Sequence, residues 1–432
     1  MADELSVAVI GGGYAGMATA VTLAAGGAQV TVFERARQLG GRARGVERHD
    51  ARLDNGQHIL LGCYRETLRL VGQVGGDPDA DFRRLPLQLT LHGHFELRAP
   101  ALPAPLHLLA ALLSARGLSW GERYAAARFM LAMRGRGYRL PHDQSAAALL
   151  AAQRQPPRLT RLLWEPLCIA ALNTPLAQAS AQVLLNVLRD SLDGHRADSD
   201  MLLPRRDLTA LFPERAAGYL HTHGGALHRS RGIARIEADG LAFRLHDDQS
   251  ASHRFDQVVC AASPADAVRL LADLDGATAD RIRALPFQPI YTVYLRYPPG
   301  VRLPQAMLGL DGGVSQWLFD QGQLSGQDGL LAAVISAEGL HQDWSHAELA
   351  ARVGDELRTR LGITAQPLWN QVIAEKRATF ACRPGLARPA AATALPGLWL
   401  AGDYTEGDYP ATLEGAVRSG IRAAQAVLGR RG

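Results

Sequence analysis

Apolar residues fall in short blocks whose period changes along the chain. Ser6-Val7-Ala8-Val9-Ile10 and Val30-Thr31-Val32-Phe33 read as buried strands, and the alanine-rich stretch between them reads as a helix. Residues 102–192 follow a helical pattern rich in Ala, Leu and Arg, with breaks at Pro141, Pro156-Pro157 and Pro175. From Pro204 onward the pattern becomes that of strands, at 233–236, 241–245 and 255–260. Val258-Val259-Cys260-Ala261-Ala262, followed by Ser263-Pro264, predicts a buried parallel strand ending in a tight turn. Alternation at 291–297 and 330–335 predicts a second sheet. Leu398-Trp399-Leu400-Ala401 predicts a last strand before a C-terminal helix. No block reaches the ~18 uninterrupted apolar residues of a spanning helix.

The turns between these blocks carry the chemistry. The first strand runs into Gly11-Gly12-Gly13-Tyr14-Ala15-Gly16, a G-x-G-x-x-G turn opening a helix. Gly11 permits the tight turn, Gly13 lets backbone approach a pyrophosphate, and Gly16 lets helix and strand pack closely. The helix N-terminus adds free N–H groups and partial positive charge. Glu34 closes the second strand about 20 residues on, where a carboxylate holds ribose hydroxyls. Gly40-Gly41-Arg42-Ala43-Arg44 follows, and Arg42 is placed to neutralise a pyrophosphate. Near the other end, Gly402-Asp403-Tyr404 sets a carboxylate for a polyol such as a ribityl chain. A helix starting at Pro410-Ala411-Thr412-Leu413-Glu414-Gly415-Ala416 can turn its N-terminal dipole to the carbonyl edge of a flavin ring. With both ends present, flavin is favoured over nicotinamide. A single G-x-G-x-x-G implies one bound dinucleotide and an outside redox partner.

Bulk composition narrows the picture further. The 432 residues allow two structural units, and 47% hydrophobic with 20% charged residues describes a globular protein. A net charge of +4 argues against a nucleic-acid binder and permits contact with anionic lipid. Nearly all positive charge is arginine; Lys376 is the only lysine. Cys63, Cys168, Cys260 and Cys382 form no C-x-x-C pair, so neither structural zinc nor a disulfide framework is expected, and no metal site is assigned. The chain enters its first strand without a basic leader, which predicts a cytoplasmic address. Residues 120–138 mix Trp120, Phe129, Met130 and Leu131 with Arg123, Arg128, Arg134 and Arg136. That pattern suits a helix lying on a membrane surface and equally one capping a substrate domain.

Together these motifs resemble the amine oxidase/phytoene desaturase superfamily of flavoproteins. Within it, Asp54-Asn55-Gly56-Gln57-His58-Ile59-Leu60-Leu61-Gly62-Cys63-Tyr64 looks like the squalene-associated branch, the hydroxysqualene dehydroxylases of hopanoid biosynthesis. Leu163-Trp164-Glu165-Pro166-Leu167 and Ala171-Leu172-Asn173-Thr174-Pro175 fit the same branch, and the resemblance spans essentially the whole chain. It implies an α/β fold with a discontinuous Rossmann-like FAD domain, 1–85 plus 205–262 plus 370–432. An α+β substrate domain of mixed sheet and helices, 86–204 plus 263–369, completes it. It implies noncovalent FAD touching Ala15, Arg35, Gly56, Gln57, His58, Ile233, Thr412 and Leu413 besides the turns above. The implied reaction removes the allylic hydroxyl of hydroxysqualene to give squalene, with an external electron donor and other squalene-pathway enzymes or a membrane surface as partners. His58 is the first candidate for the proton donor, as a cation near neutral pH. Asp54 and Tyr404 follow, and a lipophilic tunnel is expected from Leu167, Ile169, Leu172, Tyr291, Val293, Tyr294, Trp317 and Phe319. A carotenoid-type desaturase or isomerase, an amine oxidase, and a non-catalytic FAD-stabilised lipid carrier are the competing readings. Thr412 stands where an amine oxidase would place an aromatic cage residue.

Overall fold

A computed structural model describes residues 5–49 and 51–429. Three remote parts of the chain build a five-stranded parallel sheet. Its order is Ala226–His228, Gln29–Phe33, Ser6–Ile10, Gln257–Cys260 and Leu398–Leu400. Val7, Ala8 and Val9 are wholly inaccessible, because both faces of the central strand are covered. Double burial makes these strands read as unbroken apolar runs instead of alternating ones.

The helix Tyr14–Ala25 links the first two strands and packs along the C-terminal helix Leu413–Gly429. Backbone meets backbone at this junction. A Cβ added at Gly16 would lie 1.9 Å from the Gly11 carbonyl oxygen, and one at Gly420 would lie 2.2 Å from that of Ala15. Thr19 ties the two helices by donating its hydroxyl to Ala15 O (2.9 Å) and Gly420 O (3.2 Å).

The second sheet has seven strands, in the order Trp369–Phe380, Phe287–Arg296, Leu330–Ser336, Trp317–Asp320, Met307–Gly309, Gln88–Leu91 and Phe95–Arg98. Side chains alternate across it. Tyr291, Val293 and Leu295 face the helix His346–Leu361, while Tyr294, Trp317, Phe319 and Val334 face the helical layer. Tyr291 and Val293 therefore do not line a tunnel with Trp317 and Phe319, contrary to expectation: strand parity sends them to the opposite face. The helical layer comprises Leu106–Ser114, Trp120–Gly135, Ala146–Ala152, Glu165–Leu172 and Ala181–Leu192. A capping box of Ser119 and Glu122 starts its longest member.

The strand Trp369–Phe380 straddles the expected return to the cofactor unit at 370. It pairs along Phe287–Arg296, so the chain leaves the second sheet only after Phe380. As an edge strand it carries Asn370, Gln371, Glu375, Lys376 and Arg377, which blur its alternation.

The glycine junction yields a stability test. Gly420→Ala should lower stability by about 1–3 kcal/mol, because rigid backbone blocks the new methyl. Gly218→Ala, in the open helix Pro213–Thr222 with nothing within 4 Å, should hold or raise it. Thermal unfolding of both variants against the parent is the measurement.

Candidate functional site

The carboxyl ends of the parallel strands open onto a cavity of about 590 Å³, whose far wall is the second sheet. Ligands of open α/β sheets bind at these strand ends. Gly11, Gly13, Ala15, Glu34, Arg35, Gly41, Arg42, Gly56, Gln57, His58, Ile233, Gly402, Asp403, Tyr404, Thr412 and Leu413 all line the cavity, although they span nearly the whole sequence. Gly16 and Asp54 do not. Gly16 is taken up by the packing already described. The opposite wall carries the apolar Ala171, Ile290, Trp317, Phe319 and Val334, together with the polar Asn173, Ser336, Glu375 and Thr379.

The glycine end is built as a cradle. Gly13 starts the helix Tyr14–Ala25 with no side-chain cap and no acid in the first turn, leaving its N–H groups to a ligand. Gly40 N donates to Gly12 O at 2.9 Å, laying the second glycine turn beside the first. A Cβ at Gly13 would sit 3.9 Å from Gly41 Cα, in the space between the turns. Glu34 holds the cradle: its two carboxylate oxygens accept from Gly12 N (2.6 Å) and Ala36 N (2.7 Å). Arg35 pairs with Asp266 at 2.9 Å, and the Ile233 carbonyl accepts from Arg269 at 2.9 Å. These groups fit a dinucleotide diphosphate lying across the strand ends.

Arg42 lines the cavity, where its guanidinium pairs with Asp403 and donates to Ala378 O at 2.7 Å. Burial opposes the Arg42 charge, but Asp403 and Glu375 outweigh it and hold the pKa up. At the helix Leu413–Gly429, Thr412 Oγ1 accepts from Gly415 N at 3.1 Å as an N-cap, with the helix start on the cavity. The adjoining Glu414 turns away and is fully buried. It accepts from Thr67 N (2.9 Å), Thr67 Oγ1 (2.7 Å) and Arg418 Nε (2.7 Å), clamping the helix Arg65–Gln73.

The three expected acids take other parts. His58 Nδ1 lies 2.7 Å from Gly56 O, a contact that requires hydrogen on Nδ1 and leaves Nε2 an acceptor in the neutral ring. Burial first, and then Arg42, lower its pKa. Both effects disfavour the cationic form expected of His58. Asp54 lies off the cavity; its Oδ1 accepts from Leu208 N at 2.9 Å, and Tyr294 donates to its carbonyl at 2.9 Å. A little accessible surface remains, but packing around the carboxyl and nearby Asp207 push its pKa up to about 8. Tyr404 lines the cavity, and its hydroxyl donates to Ala262 O at 3.3 Å. Burial raises that phenol far above its usual range.

Asn173 joins the wall from the left-handed end of Glu165–Leu172 (φ 46°). It donates to Pro289 O and Thr379 Oγ1 and accepts from Ala337 N, stitching a helix end to the second sheet. Among the described residues no group of three His, Cys, Asp or Glu is placed to hold a metal. The four cysteines are free and buried.

Comparison with known proteins agrees with this architecture. Residues 14–428 match the family described as flavin containing amine oxidoreductase. The chain is 32% identical to hydroxysqualene dehydroxylase of Rhodopseudomonas palustris over 98% of both chains. It is 24% identical to a zeta-carotene desaturase of Solanum lycopersicum over 97% of this chain and 80% of that one. Cyclohexylamine oxidase of Brevibacterium oxydans superposes with a TM-score of 0.72 at 20% identity, covering 99% of each chain. The fold and site thus define a flavin-dependent oxidoreductase. The chain belongs to the flavin containing amine oxidoreductase family, on the side of the hydroxysqualene dehydroxylases.

Asp54 makes a pH prediction. A carboxyl with a raised folded pKa binds its proton more tightly in the folded state than in the unfolded state. Its contribution is complete below the ordinary carboxylate range and is lost as pH rises through about 8. Asp54→Asn mimics the protonated form. The parent's melting temperature should fall relative to this variant by a few degrees between pH ~5 and ~9, as read by calorimetry.

Proposed function

We propose that this chain binds FAD noncovalently and reduces hydroxysqualene to squalene. The observation that carries the proposal is the meeting of the glycine cradle, Asp403 and the Thr412-capped helix with an apolar wall in one cavity. The whole-length likeness to the Rhodopseudomonas palustris enzyme supplies the substrate. In this reading residues 1–85, 205–262 and the segment after Phe380 form the cofactor unit, and the remainder forms the substrate unit. Gly11, Gly13 and the first turn of Tyr14–Ala25 hold the diphosphate, with Glu34 and Arg35 on the adenosine side. Asp403 serves the ribityl chain, and the helix start at Thr412 and Leu413 faces the ring.

The allylic C–O bond breaks and a C–H bond forms, so the hydroxyl leaves with a proton as water while the carbon is reduced. A flavin held by the glycine cradle, Asp403 and the Thr412-capped helix would supply the hydride in its reduced form, with an external donor restoring its electrons. Ile290, Trp317, Phe319 and Val334 exclude water from the isoprenoid, whose burial contributes ~0.8 kcal/mol per methylene. The Nδ1 proton of His58 is held on Gly56 O, so the proton leaving with water is not drawn from Nδ1.

A membrane surface is part of the proposal. Among the described residues, seven of the ten exposed large hydrophobics are Leu102, Leu106, Leu109, Leu113, Trp120, Tyr124 and Leu131, each at least 41% exposed. Leu106, Leu109 and Leu113 share one outward helix face, and Trp120, Tyr124 and Leu131 share another on the next helix. Residues 100–140 carry six arginines against one glutamate, Glu122, which is buried. An apolar face within a basic surround fits an anionic bilayer. No helix among the described residues is long and apolar enough to cross one.

Two measurements test the reading. Anaerobic incubation of the holoprotein with a flavin reductant and hydroxysqualene should yield squalene by gas chromatography, with the flavin reoxidised. Dehydrogenation of zeta-carotene by the oxidised holoprotein with an added quinone as electron acceptor would instead transfer the chain to the desaturases, which the tomato likeness keeps as second reading. In flotation assays, the protein should rise with phosphatidylglycerol vesicles. Leu106→Glu with Leu109→Glu should weaken that binding at least ~tenfold without shifting the melting temperature. Equal flotation of the parent and the variant would remove the docking face.

A further inference from the structure

We propose that Gln57 and His58 form a hydroxyl-reading subsite, with Gln57 donating to the alcohol oxygen and His58 Nε2 accepting its hydrogen. The proposal rests on the reading that the cavity takes an isoprenoid alcohol. Its origin is a chain of hydrogen bonds in which the Gln57 amide oxygen accepts from Gln321 and the amide nitrogen has no partner among the described residues.

The chain starts at backbone, where donor and acceptor are unambiguous. Arg52 N donates to Gln327 Oε1 at 3.0 Å, and Gln327 Nε2 donates to Arg52 O at 2.9 Å. This amide can therefore stand only one way round. The same Nε2 donates to Ser325 Oγ at 3.1 Å. The Ser325 hydroxyl donates to Gln321 O at 3.1 Å and lies 3.3 Å from Gln321 Oε1. In this arrangement Gln321 donates from Nε2 to Gln57 Oε1 at 2.7 Å. Gln57 lines the cavity and is left with Nε2 as its free end.

Two further placements name the ligand. Gln321 opens the helix Gln321–Ser325 directly after the strand Trp317–Asp320, whose Trp317 and Phe319 line the apolar wall. The Gln57–Gln321 bond thus ties the loop that carries Gln57 to the end of that strand. Beside Gln57 stands His58, whose neutral ring offers an acceptor at Nε2 because Nδ1–H is spent on Gly56 O. One donor next to one acceptor matches an alcohol, which accepts and donates at the same atom. A hydrocarbon satisfies neither, and a site built to bond a hydroxyl rejects the analogue that lacks one. The proposed substrate and product differ in that group alone.

Oxidised holoprotein, which cannot turn over, is titrated with hydroxysqualene and with squalene in matched detergent while the visible flavin spectrum is followed. The parent should bind the alcohol at least ~tenfold more tightly than the hydrocarbon, equivalent to ~1.4 kcal/mol. Gln57→Leu and Gln57→Glu should both retain flavin and lose most of that ratio, since each removes the amide donor. Gln321→Leu, which frees the Gln57 amide to turn over, should reduce the ratio part-way. A preserved ratio in the flavin-loaded Gln57 variants would overturn the subsite. So would loss of flavin, or a moved flavin spectrum before any ligand is added, in the Gln57 variants, which would hand the donor to the cofactor. Farnesol against farnesene, run in parallel, separates the subsite from the substrate reading. A Gln57-dependent preference for farnesol, in a protein that makes no squalene, keeps the subsite and rejects the reaction.

Discussion

Everything in this molecule depends on a contact from which side chains are excluded. Gly16 meets the Gly11 carbonyl and Gly420 meets the Ala15 carbonyl with no space for a single added carbon. This lets the first helix lie against both its own preceding turn and the last helix of the chain. Residues some four hundred positions apart thereby come to one edge of one sheet. The start of Leu413–Gly429 can face the cavity only because its later turns are seated on Tyr14–Ala25.

Around that junction the polar groups are committed before any ligand arrives. Glu34 is occupied by two backbone N–H groups, Arg42 by Asp403 and a carbonyl, and Glu414 by a neighbouring helix and Arg418. A buried ion pair such as Arg42–Asp403 is weak evidence for stability, because desolvation offsets much of its attraction. Its effect is positional: it pins the loop after Leu398–Leu400 to the turn after Gln29–Phe33. A cavity whose walls are already hydrogen-bonded has less order left to impose on binding, which favours affinity through preorganisation.

How far the sequence revealed this follows from the range of each interaction. The glycine turns and Glu34 are local devices, a few residues in fixed order between two apolar runs, and they lie in the cavity as their spacing implies. Asp54 and His58 belong to one short motif, yet they part company. Asp54 ends the strand Ala51–Asp54 and turns to Leu208, whereas His58 sits in the loop beyond and lines the cavity. No spacing rule states which side of a hairpin a motif residue takes. The charge of His58 was equally out of reach, since it depends on the Gly56 carbonyl, burial and Arg42 together. Tyr291 and Val293 differ from Tyr294 by strand parity, which a run of consecutive apolar residues does not display. The polar edge strand Trp369–Phe380 lacked alternation because its outer side meets solvent. Gln321 carries no motif, and its importance arises only from the bonds that reach it from Arg52.

Under the proposed reaction the two walls of the cavity divide the work unequally. Substrate and product share every methylene, so the apolar wall binds both alike, and uniform binding of that kind does not lower the barrier from the bound state. Only the polar border can sense which molecule is present. A hydroxyl that satisfies Gln57 and His58 is lost during the reaction, leaving a donor and an acceptor facing hydrocarbon. An unsatisfied polar group in such a place costs ~1–3 kcal/mol, which weakens the product and not the substrate. The same wall that draws a long isoprenoid out of lipid would otherwise hold the product as firmly.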